Sequence, residues 1–203
     1  NAILGAGDYL IVAADPEKFS VLYPDSPKPL GPWVGKLSNQ GETVRLRDDD
    51  GEEIDQVDFA NEGLWAVRKR GPEDRGHEGW VWDALHDGQG RSLELINWAD
   101  KNNNGQNWGS SKLEGGTPGR QNSIYDSTML PLIDKVSHYP LIPNSNDAVL
   151  IKLKIANFTK FEGLGAVLFW RVDGSREDFI SAKMETDDGE TFYSNIPPQK
   201  SKS

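Results

Sequence analysis

The sequence predicts an all-β protein built in two successive parts, and three observations carry that prediction. Its 203 residues include 21 glycines and 12 prolines, turn-formers that recur too often to leave room for long helices. Short runs of alternating polar and apolar residues stand between those turns. No apolar pattern holds a helical period over a dozen residues. At ~100 to 200 residues per domain, the length accommodates one large domain or two small ones.

Taken in order, Tyr9-Leu10-Ile11-Val12-Ala13 is an apolar run that reads as a strand. Glu42 to Arg47 alternates polar with apolar, Asp48-Asp49-Asp50-Gly51 supplies a turn, and Ile54, Val57 and Phe59 populate a return strand, which together predict a hairpin. The spacing of Ile54 and Val57 breaks strict alternation and predicts a bulge. From Gly63 to Asn122 loops are expected to dominate, with Ser92-Leu93-Glu94-Leu95-Ile96 the one compact strand. Five of the seven tryptophans, Trp65, Trp80, Trp82, Trp98 and Trp108, lie in this stretch. Rings of that size in loop-rich sequence read as lids packed over a sandwich edge. The alternative is an exposed platform for sugar rings, with Trp80 and Trp82 as its candidate residues.

Composition changes after Asn122, where Ser123 to Leu132 carries no glycine and a lone Pro131, and a domain boundary is placed there, dividing the chain into 1–122 and 123–203. Ile133 to Ser137, Val149 to Asn157, Ala166 to Val172, Phe179 to Lys183 and Thr191 to Ser194 read as five short strands. Turns at Asn144-Ser145-Asn146-Asp147, Asp173-Gly174 and Asp187-Asp188-Gly189 separate several of them. Regular short strands with such turns predict an immunoglobulin-like sandwich, with Trp170 as its core tryptophan. The polar tail Pro197 to Ser203 is expected to be loose.

Charge and residue inventory narrow the function. Lysine and arginine number 22 against 32 aspartates and glutamates, a formal charge of −10, which argues against binding a phosphate backbone and so against a nucleic-acid partner. Cysteine is absent, which excludes disulfides and thiolate metal sites. No stretch approaches the ~18 to 20 consecutive apolar residues of a membrane span. Asn1 to Gly7 shows neither a basic n-region nor a cleavage pattern, and an opening so close to a buried-looking strand points to a trimmed product or a piece of a longer protein. There is no nucleophile elbow, phosphate loop or dinucleotide fingerprint, so the chain is expected not to be an enzyme. His77, His86 and His138 lack zinc-binding spacing and read as surface or edge residues. Asp48 to Glu53 reads as a solvated hairpin tip, because adjacent strand side chains point to opposite faces. Asp100, Asn102, Asn104 and Gln106 fit the first half of a calcium loop with its glycine at Gly105, but position twelve is Ser111 instead of a bidentate glutamate. A weak calcium site and a plain asparagine-glycine turn are the two readings of that loop. No cofactor is required by either.

Several phrases occur in a telling order: Gly7-Asp8-Tyr9-Leu10-Ile11-Val12-Ala13-Ala14-Asp15, then Gly35-Lys36-Leu37-Ser38-Asn39-Gln40-Gly41-Glu42-Thr43-Val44-Arg45-Leu46. Asp87-Gly88-Gln89-Gly90-Arg91-Ser92-Leu93-Glu94-Leu95, Asn107-Trp108-Gly109-Ser110-Ser111 and Gly116-Thr117-Pro118-Gly119-Arg120-Gln121-Asn122 follow. The ordered set resembles the bacterial lamin-tail domain over about residues 3 to 122. Residues 123–203 resemble, more loosely, the immunoglobulin or fibronectin type III-like domain that commonly follows it, through Val136-Ser137-His138-Tyr139-Pro140, Val167 to Gly174 and Met184 to Gly189. The resemblance implies two tandem immunoglobulin-like β-sandwiches joined by a short linker, without an active site, in a larger secreted or surface-attached protein, and hence an extracellular or cell-envelope location. It also implies that both sandwiches are incomplete: an early strand of the first and late strands of the second have no counterpart here.

Two functions follow as expectations. One is a structural or protein-interaction pair that serves adhesion, scaffolding or assembly, binding a protein partner or other domains of its own polypeptide through open sheet edges. The other is a carbohydrate-binding pair that uses Trp80 and Trp82, assisted by calcium in the asparagine-rich loop. A third idea is that the acidic surface docks a basic protein.

Overall fold

Alternation between Glu42 and Phe59 produces the predicted hairpin. In the computed structural model, which describes residues 3–75, 77–175 and 177–199, β1 (Gly41–Arg47) pairs antiparallel with β2 (Glu53–Ala60). Val44 lies opposite Val57 and Glu42 opposite Phe59 on one face. Thr43 opposite Asp58 and Arg45 opposite Gln56 form the other. Ile54 is skipped in the register beside Leu46 and Arg47, so the bulge falls where the alternation breaks. At the tip, one Asp48 carboxylate oxygen accepts from the Asp50 and Glu52 N–H groups at 3.1 and 2.9 Å.

Upstream, Tyr9 to Ala13 does not become a ladder strand. Only Val12 forms a parallel bridge, to Leu30, and Tyr9, Leu10 and Val12 are exposed while Ala13 is buried. A single helix follows, α1 (Pro16–Leu22), capped by Asp15 accepting from the Lys18 N–H at 3.0 Å, with proline in its first turn where no N–H is needed.

The stretch from Gly63 to Asn122 holds more strand than expected. β3 (Val67–Asp74) and β4 (His77–Asp83) form a two-stranded ladder. Arginine and lysine fill β3, so it carries no apolar alternation to read. β5 (Leu93–Leu95) and β6 (Trp108–Ser110) form another, within the region where the single compact strand was expected.

All five strands expected after residue 130 are present. β7 (Ile133–Tyr139), β8 (Val149–Ile155), β11 (Glu185–Thr186) and β12 (Thr191–Ile196) make a four-stranded sheet in the order β11-β12-β8-β7. β9 (Val167–Trp170) and β10 (Ile180–Lys183) pair separately. Ile155, Met184 and Phe192 are buried together, with Ile133, Ile151, Leu153, Leu164, Ala166 and Leu168 packed against them. Phe192, at 1 % exposure, takes the central place that the sequence suggested for Trp170, which is only half-buried at the end of β9.

Among the described residues the fold is thus all-β, built of small sheets with one short α-helix and a few 3₁₀ turns. It divides into two compact units, one comprising 1–70 and 80–129 and the other 71–79 and 130–203. The side chain of His77 and the end of the tail, 200–203, lie outside the described residues.

Candidate functional site

The first unit is organised around buried polar side chains. Glu94, on β5, is 3 % exposed. One of its oxygens accepts from the Thr117 hydroxyl at 2.6 Å and the Ser92 hydroxyl at 3.3 Å. The other accepts from the Ser123 N–H and hydroxyl, both at 2.7 Å, and from the Ile124 N–H at 3.3 Å. Burial alone pushes this carboxyl up, but the Thr117, Ser123 and Ile124 donors outweigh it and hold the group below the ordinary glutamate range. Asn97 and Asn107 close a second knot: the Asn97 N–H donates to the Asn107 side-chain oxygen at 3.0 Å, and the Asn107 amide returns to the Asn97 carbonyl at 2.7 Å. Simple alternation assigns Glu94 to solvent because it stands between two leucines. Thr117, Ser123 and Ser92 make the difference, and they come from sequence positions that no local pattern links.

These knots fix the loops around β5 and β6, and a cleft of about 480 Å³ is lined by residues of those strands and of the apolar face of the β1–β2 hairpin. Leu37, Val44, Val57, Phe59, Leu93 and Trp108 give it apolar walls. Its rim carries His86, whose Nδ1 lies 3.3 Å from the Ser110 hydroxyl and whose Nε2 lies 3.2 Å from the Ala60 carbonyl. His86 therefore ties two strands together at the rim. Nearby, the Asn61 amide donates to Asp87 at 2.9 Å. Clefts of a few hundred cubic ångströms with apolar walls and a few fixed polar groups are the usual form of binding sites.

The asparagine-rich loop is fastened to the hairpin. The Asn102 amide donates to Asp55 at 2.6 Å and the Asn103 amide to Asp58 at 2.9 Å, while the Asp58 N–H donates to the Asn103 side-chain oxygen at 2.8 Å. The Thr43 hydroxyl, then Asn103, hold the Asp58 carboxyl below its ordinary value. Among the presumed calcium ligands, Asn104 accepts from the Gln106 N–H at 2.9 Å, capping a 3₁₀ turn over Gly105–Asn107. Asp100 accepts from the Lys101 N–H at 2.8 Å. The Asn102 carbonyl accepts from the Trp108 indole. The loop's oxygens serve as acceptors within the fold, and among the described residues no three acidic or histidine side chains are grouped to hold a metal ion.

Trp80 and Trp82 do not lie in a core. Each is 45 % exposed, and on β4 they share one face because strand side chains alternate. The Arg70 and Arg68 guanidiniums sit 4.1 and 4.6 Å from the Trp80 ring centre, and Arg68 is also 5.9 Å from Trp82. Lys69 pairs with Asp83, and this pair holds the Asp83 carboxyl below its ordinary value. Trp98 is exposed as well, whereas Trp65 and Trp108 are half-buried with ring centres 5.8 Å apart. The lid reading thus fits Trp65 and Trp108, and the other three stand out from the fold. The tryptophan pair on β4 and the asparagine-rich loop contribute no side chain to the apolar cleft's walls, apart from Trp108 at the loop's end.

Among the described residues no helix is long and apolar enough to cross a membrane. Compared with family models, curated proteins and solved structures, the chain matches none.

Proposed function

We propose that the chain is a non-catalytic protein-interaction module, two tandem immunoglobulin-like β-sandwiches within a larger secreted or cell-surface protein, that binds polypeptide through uncovered sheet faces and edges. The observation that carries this reading is surface. At the hairpin, Val44 and Leu37, which line the cleft, are about half exposed, and Leu46 on the same strand is exposed as well. Such faces on a soluble protein mark interaction sites.

A photo-crosslinker placed at Val44 in material from the native source tests the reading. The expected product is a crosslink to a defined polypeptide segment, inside or outside this chain's own parent protein. Recovery of the uncrosslinked chain alone rejects it.

A glycan-binding reading draws on the exposure of Trp80 and Trp82, but both arginines already stack on Trp80, which reduces the ring face open to a sugar. A glycan array supports it only if binding is seen and is lost in Trp82→Ala.

A further inference from the structure

Four side chains on one face of the β3–β4 hairpin form a stack. The Arg70 guanidinium stands 4.1 Å from the Trp80 ring centre, and that of Arg68 stands 4.6 Å from Trp80 and 5.9 Å from Trp82. The order along the hairpin is therefore Arg70, Trp80, Arg68, Trp82. All four belong to the first unit, and the stack is complete within one hairpin, so it draws on no open sheet edge. Lys69 falls on the opposite face by alternation, pairs with Asp83 and takes no part.

What the stack offers a ligand follows from its donors. Among the described residues, neither the Arg68 guanidinium nor the indole N–H of Trp80 or Trp82 donates a hydrogen bond. Each of these groups can donate and none can accept, so the matching partner is an acceptor-only group, an oxyanion. A guanidinium stacked on rings keeps its N–H edge in its own plane, where a carboxylate meets it through two parallel bonds. Arg68 supplies that edge, and it is exposed. Trp82 supplies a second feature. Trp80 is engaged by two cations, whereas Trp82 has Arg68 alone at the longer distance, with no other ring or cation against it among the described residues. At 45 % exposure this outer ring of the stack is open to a ligand. The negative face of an indole attracts polarised C–H bonds, which a sugar ring presents as a flat surface and an acidic peptide does not.

We propose that Arg68 and Trp82 bind a uronic acid unit of an oligosaccharide, its carboxylate held by the Arg68 guanidinium and its ring set against Trp82. This rests on the glycan-binding reading and names its substrate class: the arginine that narrows the ring surface left to a neutral sugar is the group that selects an acidic one. Trp80, stacked on Arg68 from the other side, is a positioning residue. Between Gly41 and Ala60 the same unit carries eight acidic residues against two arginines. A field of that sign repels densely sulfated chains, so the uronate recognised stands among neutral sugars.

The test uses the whole chain and two end-labelled probes read by fluorescence anisotropy, a hyaluronan tetrasaccharide and a xylose tetrasaccharide bearing one glucuronate. Saturable binding of at least one is expected, with its carboxyl methyl ester at least tenfold weaker; this comparison reads the charge without any substitution. Arg68→Lys keeps the charge but not the planar fork, and is expected to weaken binding at least tenfold, as is Trp82→Ala. Lys69→Ala is expected to leave it within threefold. Thermal melting of each variant close to the parent's shows that folding is intact. Saturable binding of neither probe overturns the proposal; a neutral glycan bound on an array and lost in Trp82→Ala then still carries the glycan reading, and a blank array removes both. Equal binding of acid and ester overturns the carboxylate contact and leaves the glycan reading in place. Equal or tighter binding of an eight-residue peptide that alternates glutamate with serine overturns the sugar and assigns the stack to acidic polypeptide.

Discussion

Replacing Glu94 by glutamine keeps the side chain's size but removes its charge and turns an amide toward donors that need an acceptor. Hydrogen bonds to a charged group contribute about 1.5 to 3 kcal/mol each in favourable settings, and the expected loss in urea unfolding at neutral pH is about 2 to 3 kcal/mol. The pH dependence has a definite sign. Because the folded carboxyl is held below its unfolded value, its contribution is complete above the ordinary glutamate range and disappears as pH falls through the depressed folded value. The parent should therefore lose stability on acidification more steeply than Glu94→Gln, and equal slopes would refute the assignment. Two glycines of the hairpin separate strain from collision. Gly51 has φ +87° with open space around it, so Gly51→Ala should cost about 1 to 2 kcal/mol from backbone strain alone. At Gly41, φ is +109° and a Cβ would stand 2.2 Å from the Phe59 carbonyl oxygen, so Gly41→Ala should cost more and shift the hairpin's amide exchange.

At the scale of elements, the β3–β4 hairpin depends on guanidiniums stacked on indoles where other strands use apolar pairs. Arg68→Ala removes the cation between Trp80 and Trp82 and should cost about 0.5 to 1 kcal/mol, with a shift in tryptophan emission that Lys69→Ala does not reproduce. This element also shows where the sequence could be read. The β1–β2 hairpin was legible down to its bulge because Val44, Val57 and Phe59 alternate against a run of turn residues. β7, β8, β9, β10 and β12 were legible for the same reason, whereas the two-residue β11 (Glu185–Thr186) is too short to show an alternation. β3 was not, because Arg68, Lys69 and Arg70 give no apolar signal and their stabilising partners lie ten residues or more away. Tyr9 to Ala13 erred the other way: the apolar run made only a single bridge, Val12 to Leu30, and Tyr9, Leu10 and Val12 stayed exposed. The candidate cleft was invisible for a related reason. Its walls combine residues from Leu37 to Trp108, brought together by contacts that no local pattern links, among them His86 to Ala60 and Asn103 to Asp58.

For the whole molecule, the division into two units predicts separable losses of structure. Phe192→Ala empties the centre of the second unit's core, and large-to-small changes of this kind cost about 3 to 5 kcal/mol. Hydrogen exchange should accelerate through β8 and β12 while the amides of Ser123 and Asn97, held by the polar knots of the first unit, keep their protection. Loss of protection in both would show that the units unfold as one.

The polar knots also set how the first unit responds to temperature. Exposure of apolar surface raises the heat capacity on unfolding and exposure of polar surface lowers it, with a usual net of about 12 to 15 cal/mol/K per residue. A unit whose buried side chains include Glu94, Asn97, Asn107, Ser111 and Thr117 should fall below that figure in calorimetry. Its stability curve should then be shallow, with little loss on cooling, whereas the Phe192 core of its neighbour should follow the more strongly curved profile of an apolar interior.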